Sequence, residues 1–386
     1  MRLATARRSA LLAIAIAVAA AAAIPGCSAG YIARGAYEEM RLLWNRQPIN
    51  DELAKKDLDA QRRDRLELVL KVRAFARDQL GETVGGAYQT ITEVDEGAIV
   101  HVVMAAPRDS LHPYTWWFPV VGYVPYRGYF DESDATAEAA ALETDGLDTM
   151  VRPAIAFSSL GFFDDPFLAN LVALDRVELA GVLIHELFHR TFFLASDVMF
   201  DESAANYVGS RGAVEFFAAT EGESSPDTIA ARAILESDLA FSRFLAKEEA
   251  RLLAIYMSGA SKDEILKSRE AAFAAIKSDY AALAPTLSGL ERFDLDKEPI
   301  NNAVLINYLI YFHDLDNFAA LDRMNHGDLR ATIKQIIALA KAHPEDPFYA
   351  IWQATRGAPP AAKTPTSKPT SPAASGSAPT PAAPGS

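Results

Sequence analysis

Cysteine is almost absent: the 386-residue chain has one, Cys27, so no disulfide can close within a single chain. Basic residues are in deficit, with 37 Lys and Arg against 51 Asp and Glu and a formal net charge of −14. The first 26 residues and the tail from Arg356 hold three basic residues each and no acid, so the body between them carries 31 basic against 51 acidic residues, a net of −20. Such a body repels phosphate backbones, which sets nucleic acid aside as a partner. After the N-terminal apolar run no second hydrophobic stretch is long enough to span a bilayer. No internal repeat is visible, which argues against a surface adhesin or envelope scaffold. What remains, with 50% hydrophobic and 23% charged residues, is an ordinary globular composition.

Both ends fall outside fold reasoning. "MRLATARRSALLAIAIAVAAAAAIPGCSAG" has the parts of a secretory signal: Arg2, Arg7 and Arg8, then an apolar run, then small residues. At about 16 residues the run is slightly short for a transmembrane span, which needs roughly 18 or more. "IPGC" resembles a bacterial lipobox, with Pro25 unusual at its position, and predicts lipidation of Cys27. Ser28 rather than Asp after the cysteine favours an outer-membrane address facing the periplasm in a two-membrane cell. The tail, "GAPPAAKTPTSKPTSPAASGSAPTPAAPGS", has no aromatic and no acidic residue to support a packed core. The expected plan is a lipoprotein signal peptide over 1–26, one tethered domain over 27–355, and a disordered tail over 356–386.

Apolar spacing of three and four predicts amphipathic helices over 30–49 and 60–81, the second ended by Gly81. A β-branched run over 97–107, stopped by Pro107, predicts a strand. Residues 115–132, broken by Pro119, Gly122, Pro125 and Gly128, read as strand and loop; 135–146 reads as helix, and 150–166 as a strand running into a loop. From about 170 the pattern is helical, with a break near "MSGASKDE" and further helices over 301–312 and "HGDLRATIKQIIALAKAH". This is an α+β layout, mostly α, with a small mixed sheet and an extensive helical part.

The chemistry gathers in "LAGVLIHELFHRTFFLASDVMFDESAANYVG". On a helix, residues four apart lie about 40° apart around the axis, so His185 and His189 point the same way, with Glu186 about 100° to one side. This H-E-x-x-H pattern supplies two imidazoles for zinc and a carboxylate to activate water. Its setting among Val182, Leu183, Ile184, Leu187 and Phe188 sharpens it, because an unpaired buried imidazole or carboxylate costs several kcal/mol. A catalytic zinc needs a third protein ligand and an open position. Glu202, 13 residues after His189 and following a turn near "ASDV", is placed to be that ligand, with Asp201 a candidate N-cap of its helix. Asn206 stands where thermolysin-like enzymes carry an acid that orients the first histidine. Arg190 departs from the usual pattern.

On these residues, together with "GCSAGYIARGAYEEMRLLWNRQPI", "VMAAPRDSLHPYTWWFPVVGYVPYRGYFDE", "RPAIAFSSLGFFDDPFL" and "NNAVLINYLIYFHDL", the chain resembles a bacterial family of predicted aminopeptidases of the gluzincin type. The resemblance implies a zincin-like fold, one catalytic zinc held by His185, His189 and Glu202, and Glu186 as base. It departs from the family at Trp117 and Tyr123, where cysteine is frequent, and at Ser203, Ala204 and Ala205, where Phe-Ala-Thr-like residues are usual.

Amide hydrolysis would also need a donor to the developing oxyanion. Tyr308, Tyr311 and His313 are the candidates, each of which could equally be a core aromatic or a helix-terminal histidine. Residues 155–163 are the candidate edge for an added substrate strand. Arg127 could meet a peptide carboxylate or an internal acid. No Gly-Ala-Met-Glu-Asn-like motif marks a site for a free α-amine; Asp164 and Asp165 are the remaining candidates, and exopeptidase and endopeptidase both stay open. A non-catalytic lipoprotein with a structural zinc is the other reading.

Overall fold

The computed structural model describes residues 28–94, 100–118, 121–154, 163–289, 293, 295 and 299–356. The expected signal peptide, Cys27, the expected tail beyond Arg356, and all of the expected substrate edge except Phe163 lie outside the described residues.

Helix α1 (Ser28–Trp44) leads into β1 (Gln47–Pro48), α2 (Ile49–Leu53) and α3 (Ala60–Phe75). Asp59 caps α3 by accepting the Arg62 amide, and Leu66, Val69 and Val72 recur along its buried face. A π-helical turn, Ala76–Leu80, extends it to Gly81, whose φ of +79° stops the helix where the sequence predicts. Then come β2 (Thr90–Thr92), β3 (Val100–Pro107), β4 (Trp116–Phe118), β5 (Gly122–Val124), β6 (Tyr126–Tyr129), α4 (Glu132–Thr144), β7 (Leu147–Ala154) and β8 (Phe167–Leu168).

The expected small mixed sheet is divided into three. β1, β2 and β8 form the mixed one, β6, β3 and β7 an antiparallel one, and β4 and β5 a hairpin. Glycines and prolines between β4 and β6 cut the aromatic segment into pieces too short to build a continuous sheet. Within the hairpin, Trp117 lies directly opposite Tyr123, so the two positions that depart from the resembled family are a cross-strand aromatic pair. In the antiparallel sheet β3 is central and covered on both faces. Val103 and Ala105 pack on Ala135, Ala139 and Leu142 of α4, while Val102, Met104 and Ala106 pack toward Val198, Ile306 and Ile310. That double burial explains why β3 reads as an almost unbroken apolar run.

The rest is helical. A 3₁₀ turn (Ala169–Ala173) precedes α5 (Arg176–Thr191) and α6 (Val198–Glu221), followed by α7 (Pro226–Tyr256), α8 (Lys262–Leu283), α9 (Asn302–Phe312), α10 (Leu315–Met324), α11 (Leu329–Ala342) and α12 (Pro347–Arg356). The predicted break near 257–264 falls at Ser261, which opens α8 with a reciprocal capping box to Glu264. Helix α12 has no counterpart in the sequence reading. Its ten residues follow a short turn, and Asp346 starts it by accepting the Tyr349 amide at 3.0 Å.

Helices α5 and α6 cross at Gly181 and Gly209, and this contact sets the spacing of the site. A Cβ built on Gly209 would stand 2.6 Å from the Gly181 carbonyl oxygen and 3.1 Å from the His185 Cβ. The first contact is with backbone and cannot be relieved by rotating a side chain, so overpacking should cost about 1–3 kcal/mol. Gly209→Ala is therefore expected to lower the thermal midpoint by several degrees and to shrink any rise in that midpoint on adding a divalent metal, both read by circular dichroism. Gly35→Ala, where a Cβ meets nothing within 4 Å, should do neither.

Candidate metal centre

Helix α5 starts at Asp175, whose carboxylate accepts the Val177 and Glu178 amides at 2.8 and 2.9 Å. Val177, Ala180, Leu183, Ile184, Leu187 and Phe188 are buried, and each fully buried large apolar side chain contributes about 1.5–3 kcal/mol. That apolar face supports the cost of carrying His189 inward at 5% exposure. The turn after α5 brings the chain back with Ser196 at a φ of +69°. Asp197, rather than Asp201, caps α6, accepting the Phe200 amide at 3.2 Å. The helix therefore begins four residues earlier than an Asp201 cap would allow, and Glu202 sits in its second turn. Asp201 is buried and accepts the Leu194 amide on both oxygens, at 2.9 and 3.1 Å, tying the turn to α6.

The result is a tight triangle. His185 Nε2 and His189 Nε2 are 3.0 Å apart, and the Glu202 carboxylate oxygen lies 3.2 and 3.3 Å from them. A tetrahedral zinc with bonds of about 2.0–2.1 Å would set its ligands roughly 3.3 Å apart, so the three edges fit one ion. Two imidazole nitrogens this close repel through their lone pairs unless a proton or a cation lies between them. Among the described residues this is the one His/Cys/Asp/Glu group gathered closely enough to hold a metal. The His185 and Glu202 side chains keep 15% and 12% exposure, which leaves an approach to the open face.

The electrostatics point the same way. Burial would raise the Glu202 carboxyl, but His189 and His185 outweigh it and hold the group far below the usual carboxylate range. Burial would lower His189, but the Glu202 carboxylate overrides it and pushes the ring up to about 9. His189 and Glu202 thus draw positive charge strongly to this triangle. Glu186 is raised mainly by burial, with His185 and His189 opposing and with Glu202 and Asp165 adding to the rise.

Of the three candidate oxyanion donors, the structure brings one to this centre. The Tyr311 ring stacks on His185 at 6.3 Å, and its oxygen accepts from Arg152 Nη2 at 3.1 Å. Tyr308 instead packs edge-on against Phe241 in the core, and His313 rests on Phe348 with Nε2 3.7 Å from Glu249. Both are drawn off by aromatic packing, so neither Tyr308 nor His313 joins the site. Asn206 lies one turn beyond Glu202, and its buried Nδ2 has no hydrogen-bond partner among the described residues.

The other candidates are largely engaged. Asp164 accepts the Gly86 amide at 2.8 Å and Arg190 Nη2 at 3.0 Å. Arg190 also donates to the Phe163 carbonyl, so the atypical residue of the motif clamps the incoming segment onto α5. Asp165 is buried, with its carbonyl taking the Tyr88 amide at 2.8 Å. Arg127 meets an internal acid, Glu138 at 3.4 Å, beneath Tyr31 and Tyr129.

Three neighbours were not anticipated from the sequence. Arg152 on β7 donates to Asn307 Oδ1 at 2.7 Å as well as to Tyr311. Tyr126 on β6 is held well above the ordinary phenol range by burial and then by Glu202, Tyr311 and Glu186, which places it in the field of the centre. A lone arginine in the strand "LDTMVRPA" and an asparagine interrupting the apolar "AVLINYLIY" were the available signals.

No curated protein and no solved structure matches the chain. Residues 30–348 match the family model described as "Putative aminopeptidase", and the chain, matched over most of its length and carrying a His–His–Glu cluster on two crossed helices, belongs to that family.

Proposed function

We propose that this protein is a zinc-dependent aminopeptidase of zincin-like fold, with His185, His189 and Glu202 as ligands. The observation that carries the reading is the 3.0–3.3 Å triangle of those three donors with a burial-raised Glu186 on the same helix. Membership of the aminopeptidase family supports a peptidase in general terms. A zinc ion held there supplies Lewis acidity, polarising a peptide carbonyl and making water a stronger acid. Glu186 takes the proton from the attacking water and passes it to the departing amine. Because Arg152 donates to the Tyr311 oxygen, the Tyr311 hydroxyl hydrogen is free to turn toward an oxyanion. Asn307 holds Arg152 from its other side, keeping the phenol oriented.

The lipobox-like "IPGC" supports tethering to the cell envelope through Cys27, in the outer membrane facing the periplasm. No helix among the described residues is long and apolar enough to cross a membrane. The acidic body supports a peptide or protein substrate over nucleic acid.

The test is a matched pair of short peptides, one with a free amino terminus and one acetylated. Zinc-loaded protein is expected to cleave the free peptide and to lose at least tenfold in kcat/KM on the acetylated one. Equal cleavage would make it an endopeptidase, and no cleavage of either, or of a peptide library, would leave a zinc-binding envelope lipoprotein.

A further inference from the structure

From 110 to 130 the chain has no Asp or Glu, although it carries 51 of them overall, and eight of these 21 residues are aromatic. The β4–β5 hairpin lies inside this window. Alternation along the two strands divides its side chains: Trp116 opposite Val124 and Phe118 opposite Gly122 turn toward the protein, and Trp117 opposite Tyr123 turns away. Val124 is 8% exposed, whereas Trp117 and Tyr123 are 56% and 43% exposed. The outward pair is thus a two-ring apolar patch on a hairpin whose own residues carry no acidic charge.

The hairpin is fixed from behind. Ser196 in the turn between α5 and α6 accepts the Tyr123 amide and donates its own amide to Val121, both at 3.3 Å. The first turn of α1 is fixed to the same place: the Tyr31 ring lies 5.9 Å from Phe118 and 5.7 Å from Tyr129, and Arg34 pairs with Asp131 and Asp134. Ser28, where α1 begins, is three residues from Tyr31, or about 4.5 Å along the helix. Ser28, the first described residue of α1, is therefore close to the hairpin.

We propose that the Trp117–Tyr123 face is a membrane-contact surface, seated in the interfacial layer of the bilayer that holds the N-terminal anchor. It rests on the reading of the N-terminus as a membrane tether. Tryptophan and tyrosine present an apolar ring and a polar tip, which suits them to the headgroup level. The hairpin itself adds no carboxylate to the repulsion that this acidic body would feel from anionic headgroups, and Arg34 pairs with Asp131 and Asp134 beside it. A second contact also fixes orientation, which an anchor at one end of a chain does not. Tyr126, two residues past the hairpin, packs into the same cluster as Tyr311, whose ring stacks on His185, so this seating holds the candidate centre near the membrane surface.

The full-length chain is reconstituted into phosphatidylethanolamine–phosphatidylglycerol vesicles, with or without bromine on the upper acyl carbons. Flotation and tryptophan quenching are then measured. The expected result is flotation, quenching by the brominated lipid, loss of most of that quenching in Trp117→Phe, and peptide cleavage in solution unchanged within twofold. Flotation with equal quenching in wild type and variant overturns the surface and leaves the tether standing. A rise in KM for the soluble peptide without a change in quenching also overturns it, assigning the hairpin to the substrate path. Failure to float overturns both tether and surface.

Discussion

Glu186→Gln is expected to lower kcat/KM for a peptide by about a thousandfold, within the range of 10²–10⁴ for loss of a general acid–base, while one zinc per chain stays bound. The amide has the shape of the carboxylate, and neither nitrogen of the ligand pair nor Glu202 depends on Glu186 for its position. What disappears is the site's proton acceptor. Activity should fall as pH drops through the titration of the Glu186 carboxyl, which burial raises and a bound cation beside it would lower. The acid limb should be missing from the residual activity of the variant. Steady-state kinetics with parallel metal analysis decides the matter: turnover equal to wild type removes Glu186 from catalysis, and loss of zinc makes it a ligand.

Glu202→Gln is expected to weaken zinc binding by more than about a hundredfold, since loss of outer-shell partners alone costs 10–100-fold. The pH dependence gives a second, independent signature. In the metal-free protein Glu202 holds His189 up to about 9, so at neutral pH zinc must displace a proton from that ring. Affinity should then climb about tenfold per pH unit from the near-neutral range up to 9 and flatten above it. In the variant the ring loses its principal support while burial still lowers it, so the plateau should begin well below 9. Competition with a chromophoric chelator between pH 6 and 9.5 reads both effects. A wild-type affinity that does not change between pH 7 and 9 would show that His189 binds without giving up a proton.

The elements of this site that repeat locally were legible in the sequence, and those that depend on distant segments were not. His185, Glu186 and His189 share one helix, so helical geometry alone predicts their directions. Glu202 was accessible because one short turn separates it from α5. The cap of α6 was misjudged because Asp197 and Asp201 are both acceptable caps by residue type, and only the turn through Ser196 selects the earlier one. Tyr308, Tyr311 and His313 were indistinguishable because they occupy one short stretch at the end of α9 and its cap. Which of them meets His185 depends on where Phe241 and Phe348 pack, residues 67 and 35 positions from Tyr308 and His313. Arg152 and Tyr126 come from separate strands that meet α9 only in the folded chain. The sheet was foreseen as one body because strand length is visible in a sequence and pairing is not.

Ser203, which follows Glu202 and is one of the departures from the resembled family, gives its hydroxyl to the Ile310 carbonyl at 2.9 Å and receives the His313 amide at 3.1 Å. Those two partners flank Tyr311, so a single buried hydroxyl bolts the chain segment of Glu202 to that of the phenol. Heat or denaturant that pries α9 from α6 would have to dislodge both at once. Zinc release and the collapse of turnover should accordingly share one midpoint, with no metal-loaded but inert species between them.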